Sequence, residues 1–246
     1  MANPVLNDKA FQRADQAATY TGEQMSVEGA VNKTAFLLLL LVAPAAWVWT
    51  RFFQTGDPAA VMPLMMLGVI GGLITGLATA FVPTWARLTA PVYAVCEGLA
   101  LGGISAVFES QYPGLVLQSV GLTLGVLAAM LVLYRTGVIK VTDRFRMAVV
   151  GATAGIALFY FVSIVLSFFS VNVPLIWSSG LWGIVFSLVV VGVAALNLAL
   201  DFDFIEQGVT RGAPQFMEWY AAFGLLVTLV WLYLEILRLL AKLRRR

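Results

Sequence analysis

Histidine is absent from this 246-residue chain, cysteine occurs once, and charged residues make up only 11% of it. Each scarcity removes a class of chemistry. Without imidazole there is no histidine axial ligand for haem, no histidine-containing catalytic triad and no ordinary near-neutral pH switch. The lone Cys96 cannot close an internal disulfide or build a cysteine metal cage, and within its apolar run it reads as a small packing residue. No lysine lies between Met147 and Ala241, so the Schiff-base lysine of a seven-helix retinal protein is missing. Basic residues do not cluster with aromatics as a nucleic-acid groove requires, and the net charge of +2 points to no partner. The stretch Met1 to Lys33 has no apolar core, so no cleaved secretory signal is expected.

What is abundant is hydrophobic sequence: 61% of residues, with a mean hydropathy of +0.91. A soluble domain is about half apolar and about a quarter charged, so this composition belongs to a polytopic membrane protein. A hydrocarbon core ~30 Å thick takes roughly 20 helical residues to cross. Seven runs meet that length: Thr34–Phe53, Pro58–Ala86, Leu88–Phe108, Pro113–Tyr134, Met147–Phe169, Leu175–Leu200 and Glu218–Leu240. The uncharged stretch from Met147 to Leu200 is too long for one span, and Ser170-Val171-Asn172-Val173-Pro174 divides it. Trp177, Trp182 and Trp219 flank the last two runs as interfacial anchors would. No run alternates at period two, which argues against a β-barrel. The expected class is all-α: seven transmembrane helices in one bundle at 34–246, behind a polar N-terminal tail at 1–33 in which Asn7–Ala18 forms a short helix.

Glycines repeat every fourth residue at Gly68, Gly72 and Gly76, at Gly98 and Gly102, at Gly121 and Gly125, and at Gly151 and Gly155. Such stripes let helix backbones approach closely, and packing inside the bundle is the expected use. Orientation follows the basic loops. Arg135, Lys140, Arg144 and Arg146 between the fourth and fifth runs fall on the same side as Lys9, Arg13 and Lys33, which puts the N-terminus in the cytoplasm. The basic C-terminus, Arg238, Lys242 and Arg244-Arg245-Arg246, then lies on the opposite side, against the rule. A last segment that re-enters instead of spanning would remove the conflict.

The acids inside these runs are the candidate functional residues, because a charge at mid-membrane costs at least ~2.5 kcal/mol. Glu97 sits halfway along the third run. Asp201 and Asp203 close the sixth; two residues apart on a helix, they point to opposite sides, and a solvated helix end is the structural alternative. Glu235 lies deep in the seventh, where Arg238 three residues later could pair with it. Glu206 and Glu218 read as interfacial and first-turn acids.

Several of these stretches resemble one family. Asn32-Lys33-Thr34 at the mouth of the first span is similar to the signature that opens the first helix of the transmembrane Bax inhibitor motif family. Glu97-Gly98 followed by Gly102-Gly103-Ile104-Ser105 resembles its acidic third span. Leu200-Asp201-Phe202-Asp203-Phe204-Ile205 ahead of Tyr233-Leu234-Glu235-Ile236-Leu237 resembles its paired acids on the last two helices. The similarity runs from about Asn32 to the end of the chain and is closest to the bacterial branch with a basic C-terminal tail. It implies a seven-helix inner-membrane protein with a pH-sensitive calcium leak, closed when the two acids share a proton. Here those acids would be Asp201 (or Asp203) and Glu235.

Two departures stand out: the second acid is Glu instead of Asp, and more sequence separates the pair. Measured from a turn at Gly208–Pro214, Asp201 lies about 10 Å down its helix and Glu235 about 30 Å down the next. A simple hairpin does not bring them together, so either the linker is not a tight turn or Glu97 takes part in the pairing. Clustered carboxylates in low dielectric titrate as a unit and, once ionised, offer hard oxygen ligands suited to calcium at Asp201 and Glu235. No resident cofactor and no enzymatic activity are expected. The alternative is a non-transporting regulator that uses the charged tail to bind a membrane protein such as a protease.

Overall fold

Hydrocarbon offers the backbone no hydrogen-bond partner, so each apolar run must satisfy its own N–H and C=O groups, and helices result. The computed structural model describes residues 23–169 and 180–245; the expected helix at Asn7–Ala18, the Ser170–Pro174 break and Trp177 lie outside them. Among the described residues, seven helices are long and apolar enough to cross a membrane: α1 Val27–Thr55, α2 Met62–Phe81, α3 Ala86–Gln111, α4 Leu115–Arg135, α5 Asp143–Phe168, α6 Leu181–Thr210 and α7 Met217–Arg244. Among the described residues there are no strands, only an isolated bridge between Gln24 and Pro214. The all-α, seven-helix class read from hydropathy is the one observed.

Local chemistry sets the ends. Ser26 caps α1 by accepting from the Gly29 N–H at 2.9 Å, and Gly56 closes it in the left-handed region at φ 65°. Thr142 caps α5 in the same way. Within the helices, Thr34, Thr75, Thr79, Ser119, Thr123 and Ser163 donate back to carbonyls one turn earlier, so their hydroxyls need no water.

Three boundaries differ from the hydropathy reading. Helix α1 starts at Val27, ahead of its apolar run, because a cap and not hydrophobicity decides where a helix begins. Helix α6 runs on past Leu200 to Thr210, so Asp201 and Asp203 are interior helical residues and not a frayed end. Helix α7 is unbroken for 28 residues, which removes the re-entrant last segment.

The chain gathers into two compact units. Among the described residues, the first takes those up to Pro113 together with Asp203–Val227; the second takes Gly114–Phe202 with those from Thr228 on. In the first, α3 packs on both α1 and α2, and the glycine stripes act as expected. A Cβ on Gly98 would overlap the Leu41 carbonyl and Pro44, and one on Gly68 would meet the Cys96 carbonyl and Ala100 N–H of α3. Val48, Phe52, Val61, Leu99 and Ala106 make a core beside them. In the second unit, Gly121, Gly125, Gly151 and Gly155 face open space, with no described atom where a Cβ would go. Among the described residues the same spacing serves no packing there, and a small core forms instead between Val149 on α5 and Leu200 on α6.

Candidate functional site: buried charge on α5, α6 and α7

In the second unit, α7 carries Glu235, Arg238 and Lys242 at steps of three and four, which aligns them on one helix face. Glu235 is 2% exposed, so its carboxylate must find partners inside the protein. Arg238 Nη1 donates to both of its oxygens, at 2.9 and 3.1 Å. The Tyr160 hydroxyl on α5 donates to Glu235 Oε1 at 2.9 Å and accepts from Arg238 Nη1 at 2.7 Å. The guanidinium also lies 5.3 Å from the centre of the Tyr160 ring. Acid, base and phenol therefore close a three-way network.

One turn further along α7, Lys242 is 3% exposed and donates to the Gly183 carbonyl at 3.0 Å and to Ser187 Oγ at 2.9 Å, both on α6. Deeper on α6, buried Asn197 donates to Thr153 Oγ1 of α5 and to the Val193 carbonyl, each at 2.8 Å. Asp201 follows one turn later and is wholly buried. Ser187, Asn197 and Asp201 share a face of α6, as do Thr153 and Tyr160 on α5.

The shared proton expected between Asp201 and Glu235 is not the bond Glu235 makes: its hydrogen bonds go to Tyr160 and Arg238. Register explains this. Lys242 stands beside Ser187 on antiparallel helices; Glu235 is seven residues, or about 10 Å, back along α7, whereas Asp201 is fourteen residues, or about 21 Å, on along α6. The two acids are thus about 10 Å apart in level. With Arg238 one turn away, the intrahelical ion pair takes Glu235.

The other candidates are in the first unit. Asp203 is half-buried and accepts from the Gln207 side chain at 2.7 Å, facing away from Asp201 as the two-residue spacing requires. Glu97 is half-buried, with its Oε2 in the space left by Gly72, where a Cβ would stand 3.1 Å away. Among the described residues no cluster of three or more histidine, cysteine, aspartate or glutamate side chains is placed to hold a metal ion.

Residues that hydropathy passed over also matter. Glu218, read as a first-turn acid, is 2% exposed and forms a node: it accepts from Ser26 N–H at 2.8 Å and Ser26 Oγ at 2.9 Å, and it pairs with Lys33. Backbone bonds from Met25 N–H to the Ala213 carbonyl and from Gln215 N–H to the Glu23 carbonyl hold the chain entering α1 against the turn that leads into α7. Lys33 also lies 5.5 Å from the Trp219 ring, which meets Phe36 edge-on at 6.0 Å, beside an open hollow of ≈ 420 Å³. The one signal was opposite charge at two helix mouths, Lys33 and Glu218. For Lys242 it was the spacing from Glu235 and Arg238. Tyr160 gave none.

A model of the family described as Bax inhibitor 1 like matches residues 3–245 of the chain. No curated protein and no solved structure matches it.

Proposed function

Since the chain belongs to the Bax inhibitor 1 like family and is a multi-pass membrane protein of seven apolar helices, we propose that it is a pH-sensitive cation leak, not an enzyme, with calcium among the ions it passes. The observation that carries this reading is the row of buried polar groups in the second unit: Lys242 with Ser187, then Glu235 with Arg238 and Tyr160, then Asn197 with Thr153, then Asp201. From Ser187 to Asp201, α6 rises about 21 Å, most of a ~30 Å hydrocarbon core. Ionisable groups are expensive at that depth, and a row of them that nearly spans it is best explained by the passage of charge.

On this reading, the row supports one sign for the pH response. Glu235 is neutralised where it stands by Arg238, and Lys242 adds a cation held by neutral oxygens. With Asp201 protonated, positive charge is in excess and cations are turned away; with Asp201 ionised, the row is balanced and its Asp201 end attracts a cation. Flux therefore rises with pH. Carboxylate and carbonyl oxygens are hard ligands, which suits calcium.

The test is calcium flux into liposomes carrying the purified full chain, measured from acidic to mildly alkaline pH. Asp201→Asn should hold flux at its acidic level across the range. Unchanged flux and an unchanged pH profile in both Asp201→Asn and Glu235→Gln would overturn the reading.

The setting proposed is a bacterial inner membrane with the N-terminus in the cytoplasm, on the strength of the basic α4–α5 loop. The inward turn of Lys242 supports this by removing one base from the C-terminal cluster that conflicted with it. A second reading, a regulator that binds a membrane protein partner, draws on the pairing of Glu23 and Met25 with the α6–α7 turn, which anchors the root of the charged tail. Deleting the tail should then abolish partner capture and leave ion flux intact.

A further inference from the structure

Lys242 is where a lysine has least reason to be. It lies in the last turn of α7, and a four-carbon stem there can carry its ammonium out to the interface. Its neighbours Arg244 and Arg245 are exposed in that manner, but Lys242 turns inward and is buried. Both of its hydrogen-bond acceptors are neutral: the Gly183 carbonyl in the first turn of α6 and the Ser187 hydroxyl one turn on. A helical carbonyl keeps a second lone pair beyond its backbone bond, and a carbonyl with a hydroxyl is the kind of oxygen set that replaces water around a passing cation.

We infer that Gly183 O and Ser187 Oγ form a cation-binding position at this end of the buried row, and that the Lys242 ammonium fills it as a tethered plug. The inference rests on the cation-leak reading and adds to it the residue that limits the leak. A lysine that only clamped α6 to α7 would contribute stability and leave selectivity and flux alone. A plug does more: it occupies the site that an ion must use and repels that ion when it approaches.

The test measures flux in liposomes for the full chain and for Lys242→Met, which keeps the stem and removes the charge. A unit charge a few ångströms from the path repels a passing cation even when well screened, so Lys242→Met should raise flux by about an order of magnitude or more. Adding Ser187→Ala should bring that raised flux down, because one of the vacated ligands is lost. A second arm works on protein already folded: Lys242→Cys in a Cys96→Ala parent should leak faster than the parent. An aminoethyl methanethiosulfonate reagent, which restores an ammonium, should suppress the excess; a neutral reagent of similar size should not.

If Lys242→Met and Lys242→Cys conduct no faster than their parents while Asp201→Asn still lowers flux, the plug is overturned and the leak stands. If neither the parent chain nor any variant passes cations, the leak reading has failed, the plug falls with it, and Lys242 is a clamp.

Discussion

The decisive residue is Arg238. It converts Glu235 from an acid waiting for a second carboxylate into half of an ion pair, 2.9 Å from its partner, with only 25% of the arginine side chain and 2% of the glutamate side chain exposed. A pair of this kind is poor evidence of net stabilisation, because desolvation offsets most of the attraction, but breaking it leaves a charge stranded. Glu235→Gln should therefore lower stability by about 2 kcal/mol, less than for a fully buried pair because a quarter of the Arg238 side chain remains uncovered. Adding Arg238→Met should recover part of that loss. Thermal unfolding in detergent checks both; equal and additive losses would mean that the two side chains do not act as a pair. The residue scale also shows the limits of reading acids singly. Glu235 and Arg238 were visible as a spaced pair, and Glu97 as an acid in an apolar run. Glu218 was invisible as a node, because its partners Ser26 and Lys33 lie nearly two hundred residues away in sequence.

At the scale of elements, identical glycine spacing has two outcomes. On α3, Gly98 and Gly102 admit the backbone of α1; on α4 and α5, Gly121, Gly125, Gly151 and Gly155 meet nothing described. Gly98→Ala should cost about 2 kcal/mol, since the new methyl would overlap the Leu41 carbonyl and backbone cannot rotate aside. Gly151→Ala should be neutral or stabilising by up to ~1 kcal/mol through helix propensity alone. Comparing the two melting temperatures in one detergent checks the contrast, and equal effects would contradict the packing described here. The helices themselves were legible because a lipid-crossing chain has little choice of backbone conformation. Their ends were less so: Ser26 begins α1 ahead of the apolar run, and α6 carries Asp201 and Asp203 inside itself.

For the whole molecule, the arrangement of charge is a statement about sidedness. With seven crossing helices the two termini face opposite compartments, and the α4–α5 loop shares the side of the N-terminus. In the orientation proposed above, Lys140→Cys in a Cys96→Ala background should react with an impermeant thiol reagent only from the cytoplasmic side of oriented membrane vesicles. Labelling from the outer side would reverse the assignment. The two ends of the buried row differ in character, with an acid, Asp201, at one and a base, Lys242, at the other.

Composition and hydropathy by themselves determined that the chain crosses a membrane, how many times it does so, and which acids sit at a depth where charge is costly. Those properties follow from the local free energy of each segment in hydrocarbon, which depends on nothing beyond the segment. Which side chains meet was decided only by tertiary structure, because it depends on helix register, and a shift of one turn moves a group about 5 Å. That register set Lys242 against Ser187, left Asp201 and Glu235 on different levels, and gave Glu235 to Arg238 and Tyr160.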